Sequence, residues 1–272
     1  MSPITVAAVQ MVSSPVVSEN LRTAGQLVRE AAHAGARLVV LPEYFCLMGR
    51  HETDKVAACE SPGQGPIQDF LAERAEREAI WLVAGCVPLA CDDPGRVRSA
   101  CLVYGPDGRC RVRYDKIHLF SFESGAERYR EANTIERGDT PVAFDLEGMR
   151  VGLSICYDLR FPELYRALGV CDLLLVPSAF TATTGAAHWE VLLRARAIEN
   201  QAWVLAAAQG GLHPNGRRTH GDTMIVDPWG TVLGRLASGE GVVTARLGPA
   251  ERDRLRAALP ALDHRVLGAQ AQ

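Results

Sequence analysis

The segments ARLVVLPE (36–43) and DLLLVPSA (172–179) each follow a helical stretch and each stop at a proline. A run this short and this apolar reads as a strand buried on both faces, and proline ends it because it cannot donate to a ladder. The same alternation runs through the chain. ITVAAVQM (4–11) is β-rich, and Leu21, Ala24, Leu27, Val28 and Ala31 give 18–34 a helical period that Gly35 closes. A second helix over 66–78 leads into the strand IWLVAGCV (80–87), while SACLVYG (99–105) and CRVRYD (110–115) flank the turn signal PDG. In the second half MRVGLSIC (149–156) is a strand, FPELYRAL (161–168) a helix and DLLLVPS (172–178) a strand. A long helix over 186–200, the strand QAWVLAAAQ (201–209) and a hairpin in TMIVDPWGTVLG (223–234) complete the plan. Apolar strands alternating with helices predict an α/β fold with helices packed over the sheet faces. No Ser- or Pro-rich linker divides the halves, so 1–272 reads as one domain with two similar halves.

Charge excludes one class of partner. Lys and Arg total 29 against 32 Asp and Glu, the net charge is −3, and no dense basic run would track phosphates. Nucleic acid is therefore not an expected partner. No window reaches the roughly 18 apolar residues of a membrane span, and the opening MSPITVAAVQMVSS lacks the basic start of a signal peptide. The eight cysteines (46, 59, 86, 91, 101, 110, 156, 171) contain no C-x-x-C pair. Scattered thiols in a chain of this size predict a cytoplasmic protein with reduced cysteines.

Folds of this kind place ligands at the carboxyl ends of strands. Three reactive residues stand at such ends: Glu43 after ARLVVLP, Lys116 after RVRYD and Cys156 after RVGLSI. A thiol of ordinary pKa is mostly protonated at neutral pH and needs a base or cation beside it. Glu43 is a candidate base, Lys116 a candidate stabiliser of thiolate and oxyanion, and the backbone N–H of Tyr157 a second oxyanion donor. Together they would support acyl transfer through a thioester. Each also has a plain structural reading: Glu43 as a turn residue, Lys116 as a solvated lysine, Cys156 as a core cysteine. His118, His188 and His220 leave a Cys–His pair open as an alternative. His188-Trp189-Glu190 has the H-x-E form of a zinc deaminase, but no P-C-x-x-C follows, so no metal is expected. Nor does a phosphate-binding glycine motif point to a nucleotide cofactor.

LPEYF (41–45), YDKIHLF (114–120) and SICYDLRFPEL (154–164) closely resemble, in order, the three signatures of the nitrilase or carbon–nitrogen hydrolase superfamily. The similarity runs over essentially the whole chain. It implies an α-β-β-α sandwich and hydrolysis of a non-peptide C–N bond of a small-molecule amide, without metal or cofactor. It also implies Glu43 as base, Lys116 as oxyanion stabiliser and Cys156 as nucleophile. The stretch YREANTIERGD (129–139) makes Glu131 the second glutamate that many relatives carry, orienting Lys116; Glu127 and Glu136 are the less well matched alternatives. In relatives a helix at 186–200 contributes to a subunit interface, so a homodimer is implied.

PSAFTATTGAAHWEVLLRARAIENQAWVLAAAQGG (177–211) and GDTMIVDPWGTVLG (221–234) are similar to the deaminated glutathione amidase branch, with the ω-amidases of 2-oxoglutaramate as near relatives. The implied reaction yields 2-oxoglutarate and cysteinylglycine, a metabolite repair. A catalytically inactive binding module is the remote alternative, and the intact trio speaks against it. Arg160, four residues after Cys156, has the bidentate donor geometry to hold a substrate carboxylate. Its other reading is an internal salt bridge to Asp158 or Glu163. Tyr44, beside Glu43, either lines the pocket or packs.

Overall fold

The computed structural model describes residues 2–125 and 127–267, with the backbone alone at Glu127. Its strands form two six-stranded sheets. The first runs, edge to edge, Gly241–Leu247, Ile4–Gln10, Leu38–Val40, Trp81–Ala90, Val97–Tyr104 and Cys110–Asp115. The second runs Ala143–Leu146, Met149–Leu153, Leu173–Leu175, Trp203–Ala206, Thr223–Val226 and Val232–Leu236. In each, three consecutive parallel strands are flanked by one antiparallel strand on one side and two on the other. The two halves therefore match strand for strand.

Alternation along the first sheet divides the core. Val6, Ala8, Leu38, Val40 and Val83 point to the second sheet, whereas Ala7, Val9, Val39, Leu82 and Ala84 point to the helices Val17–His33 and Pro66–Glu78. Pro162–Ala167 and Ala182–Asn200 belong to the second half, and the long helix packs on the strands Trp203–Ala206 and Thr223–Val226. Trp189, Leu193 and Ala197, spaced i, i+4, i+8, form the buried stripe of that helix. The result is helix, sheet, sheet, helix, the layering implied by the resemblance. No helix among the described residues is long and apolar enough to cross a membrane.

Differences from the sequence reading lie at ends and edges. The long helix starts at Ala182 rather than 186, because Thr181 caps it and accepts a hydrogen bond from Thr184 N at 3.2 Å. Its first turn contains Thr-Thr-Gly, residues of low helix propensity, which hid the true start. The strand at 149–156 ends at Leu153, and Cys156 opens a short 3₁₀ turn, Cys156–Arg160. Unread in the sequence were the strands Ala143–Leu146 and Gly241–Leu247, the helix Pro249–Ala258, and two small hairpins, Ser121–Ser124 with Glu127–Arg130 and Gly210–Leu212 with Arg218–His220.

Candidate active site

Glu43 stands three residues beyond the strand Leu38–Val40, and the chain there is fixed on three sides. Leu41 N donates to Val83 O at 2.9 Å. Gln209 Nε2 donates to the Glu43 carbonyl at 3.0 Å and to Ser13 Oγ at 2.8 Å, joining the two halves behind the site. Gly85 presses its backbone against the Leu41–Pro42 peptide so closely that a Cβ there would sit 2.3 Å from Pro42 C and O.

Lys116 emerges from the end of Cys110–Asp115 and is 1% exposed, as is Glu43. Its ammonium has three protons and finds three oxygens: Glu43 Oε1 at 2.8 Å, Glu131 Oε1 at 3.0 Å and Glu131 Oε2 at 2.8 Å. Glu131 is fixed in turn by Phe120 N, donating to Oε2 at 2.7 Å, and by the Tyr44 hydroxyl, donating to Oε1 at 2.9 Å. Burial alone would push the lysine down, but the charges of Glu131 and Glu43 outweigh it and hold Lys116 well above its usual value. Burial likewise opposes ionisation of Glu131, and the Lys116 charge and hydrogen bonds overcome it, leaving Glu131 below the ordinary carboxylate range.

Cys156 is 7% exposed and has φ of +49°, a left-handed conformation rare for a side chain with a Cβ. Its N–H donates to Pro177 O at 2.9 Å. Burial, reinforced by the Glu43 charge and only partly countered by Lys116, drives the thiol well above its usual pKa.

Asp158 pins this turn to the lysine strand. Its Oδ2 accepts from Ile155 N at 2.8 Å and from Tyr114 OH at 2.6 Å; its Oδ1 accepts from His118 N at 3.0 Å and lies 2.7 Å from His118 Nδ1. Tyr114 and His118 flank Lys116 on either side. The segment that carries the lysine and the segment that carries the cysteine are thus clamped by one buried carboxylate.

A narrow cleft opens over this arrangement, with Glu43, Glu131, Cys156, Arg160, Phe180 and Arg217 on its walls. No histidine lines it: His118 is held by Asp158 and stacked 3.8 Å from the Phe161 ring, and His188 lies against Arg160. Arg160 forms neither of the internal salt bridges weighed for it. Its Nη1 is 3.2 Å from His188 Nδ1, and its guanidinium lies over the Phe180 ring at 5.2 Å, facing the cleft. Asp158 is already filled by its four partners. Tyr44 does not line this cleft; its hydroxyl is committed to Glu131 and its ring borders an adjoining pocket. Tyr157 follows Cys156 in the turn, its ring edge-on to Phe120 and Phe161, each at 5.2 Å. Of the alternatives to Glu131, Glu136 binds Arg98 instead, and the Glu127 side chain lies outside the described residues. Sequence reading missed Arg217 and the clamp at Asp158. The first sits in a loop without periodicity, and the second is legible only once residues 40 and 44 positions apart meet.

Among the described residues no group of three or more His, Cys, Asp or Glu side chains is arranged to hold a metal ion. A carboxylate and a thiol that line one cleft, with a buried ammonium bonded to that carboxylate, suit nucleophilic attack on a carbonyl or nitrile carbon.

Comparison with known proteins gives a consistent result. The family described as carbon–nitrogen hydrolase matches residues 5–257. A deaminated glutathione amidase of Synechocystis sp. PCC 6803 is 40% identical, over 98% of this chain and 99% of that one. Omega-amidase NIT2 of Xenopus tropicalis is 39% identical, over 90% of this chain and 88% of that one. Among solved structures, the C. elegans NitFhit protein superposes with a TM-score of 0.89 at 36% identity, covering 97% of this chain and 65% of that longer one.

Proposed function

We propose, from the premise that this chain belongs to the carbon–nitrogen hydrolase family, that it is an amidase cleaving deaminated glutathione to 2-oxoglutarate and cysteinylglycine. The hydrolase domain is taken as residues 1–272. The observation that carries the mechanism is the Lys116 ammonium, gripped by Glu43 and Glu131 in the cleft that Cys156 lines.

In this reading Glu43 takes the Cys156 proton as sulfur attacks the amide carbon. The carbonyl electron pair moves onto oxygen, where Lys116 Nζ and the Tyr157 N–H hold the oxyanion. Collapse breaks the C–N bond, Glu43 hands its proton to the departing amine, and a thioester remains on Cys156. Glu43 then takes a proton from water, hydroxide adds to the thioester, and the second collapse expels the thiolate, which recovers the proton. The raised pKa of Cys156 supports a base-dependent route, since burial and the Glu43 charge both disfavour a standing thiolate. Glu131 keeps Lys116 charged and aimed, and Tyr44 acts through Glu131 rather than on substrate. Arg160 holds the carboxylate of the 2-oxo acid end. The role is metabolite repair, in a cytoplasmic setting that suits eight cysteines all free of disulfides.

The deciding measurement is kcat/KM on two amides, with products identified by mass spectrometry. Deaminated glutathione is expected to exceed 2-oxoglutaramate at least tenfold, which needs about 1.4 kcal/mol of differential transition-state binding. The reverse preference transfers the site to the ω-amidase reading, which the similarity to NIT2 supports. Turnover of neither overturns both. The chain is further proposed to pair with a second copy, with Val191 (69% exposed) on the long helix and Trp229 (61% exposed) in the nearby hairpin turn as the apolar surface. A monomer in analytical ultracentrifugation refutes that.

A further inference from the structure

We propose that Arg217 anchors an anionic leaving group: the cleft selects amides whose amine portion ends in a carboxylate, and Arg217 binds that carboxylate. This deepens the amidase reading above and rests on it.

Arg217 lies in the loop between Gly210–Leu212 and Arg218–His220, and its side chain borders two concavities. One is the cleft with Cys156; the other is an adjoining pocket with Tyr44, Met48, Glu52 and Lys55. The guanidinium is held by surfaces rather than by charge. It lies 5.6 Å from the Tyr44 ring centre and 5.1 Å from that of Tyr129, with Nη1 3.7 Å from Met48 Sδ. Among the described residues it forms no ion pair, and its Nε is buried without a hydrogen-bond partner. Arg217 as a whole is half-buried, but a buried donor such as its Nε is ordinarily answered, because leaving it unanswered costs about 1–3 kcal/mol. Aromatic faces that fix the plane, with Nη1 on a weak sulfur acceptor and Nε and Nη2 unanswered, make a receptor for a planar anion.

Position says which part of the substrate that anion belongs to. Arg217 rests on Tyr44, the residue after Glu43, and Glu43 is among the carboxylates whose charge it feels. Glu43 is also the group that must protonate the departing nitrogen, so the amine portion lies on the Glu43 side. Arg160 projects from the other side, from the turn after Cys156, over Phe180. An acyl end at Arg160 and an amine end at Arg217 account for both guanidiniums. With the carboxyls ionised, Glu43, Glu131 and Lys116 sum to −1, and the two arginines bring the cleft to +1, suited to a dianionic substrate. Ammonia as leaving group would use none of the Arg217 donors.

The test compares deaminated glutathione with its analogue in which the terminal glycine carboxylate is a carboxamide, alongside 2-oxoglutaramate. Wild-type enzyme is expected to prefer the carboxylate form about thirtyfold in kcat/KM, the size of one charge-assisted contact. Arg217→Gln should bring the two forms within about threefold of each other, and Arg217→Lys should restore part of the preference. A wild-type ratio near one overturns the inference, and that measurement needs no folded variant. It is also overturned if Arg217→Gln depresses 2-oxoglutaramate as much as deaminated glutathione, since Arg217 would then hold the shared acyl end. Turnover of none of the three amides removes the amidase reading itself, a different failure.

Discussion

Leu38–Val40 and Leu173–Leu175 occupy the same place in their sheets, the middle of three parallel strands, and each is followed by a proline at the same distance. After Pro42 comes Glu43; after Pro177 comes Ser178. Glu43 is drawn into a buried charged trio, whereas the Ser178 hydroxyl merely returns to Val176 O at 3.2 Å. Likewise Lys116 follows the edge strand of the first sheet, while Cys156 follows the parallel strand that matches Ile4–Gln10. The scaffold is repeated and the chemistry is not. The first half supplies the charges, buried and paired with one another. The second supplies the thiol and Phe180, also buried, with Arg160 on the open side of the cleft. A symmetric frame can place one site because only one end of each repeated position carries a reactive side chain.

That contrast is sharpest if equivalent positions are mutated in parallel. Cys156→Ala and Glu43→Gln are both expected to abolish turnover at every pH, while Ser178→Ala, at the counterpart of Glu43, should change kcat less than about threefold. Substantial activity in Glu43→Gln would dissolve the asymmetry and put a histidine or water in its place. Lys116→Ala should lose at least about 10²–10³ in kcat, the cost of one oxyanion donor. Because it leaves two buried carboxyls facing each other, a thermal melt must accompany it. Arg160→Ala tests the open side, and should lower kcat/KM for deaminated glutathione and 2-oxoglutaramate together, by about 10–100-fold. A loss confined to one substrate would move Arg160 off the shared acyl end.

The smallest effect is a pH effect on stability. Glu131 titrates below the ordinary carboxylate value in the folded state, so between that lowered value and about 4.3 the unfolded chain binds the extra proton. Its contribution is complete above about pH 4.3 and is lost as pH falls through the folded-state value. Glu131→Gln should therefore flatten the acid limb of stability measured by urea unfolding from pH 5 to 3. An unchanged slope would mean Lys116 does not hold Glu131 in the ionised form.

Local pattern carried most of the first sheet and little of what closes it. The parallel strands and their prolines are legible because burial on both faces writes an unbroken apolar run. Gly241–Leu247 is not legible as a partner of Ile4–Gln10, since its register, Ile4 opposite Leu247, joins the two ends of the chain. Its counterpart Ala143–Leu146 is short and local, a hairpin arm on Met149–Leu153. At the site, Glu43, Lys116 and Cys156 stand out by chemistry at strand ends, and Glu131 by resemblance. Arg217 does not, because HPNGRRTHGD offers loop residues and two adjacent arginines with nothing to say which one turns inward. Tyr44 is a neighbour of Glu43 in sequence, but its hydroxyl answers a residue 87 positions away.

Gly85 shows how a site is shaped by an atom that is missing. Its backbone sits where any side chain would displace the Leu41–Pro42 peptide, and Glu43 is the next residue along. For the inheritance of this protein the consequence is an intolerant codon at a residue with no reacting group of its own. Every single-base change that puts a carbon there forces the Leu41–Pro42 backbone, the support of Glu43, to shift. A survey of polar residues would pass over the position entirely, yet its variants would read as loss of function in a chain whose every reacting group is intact.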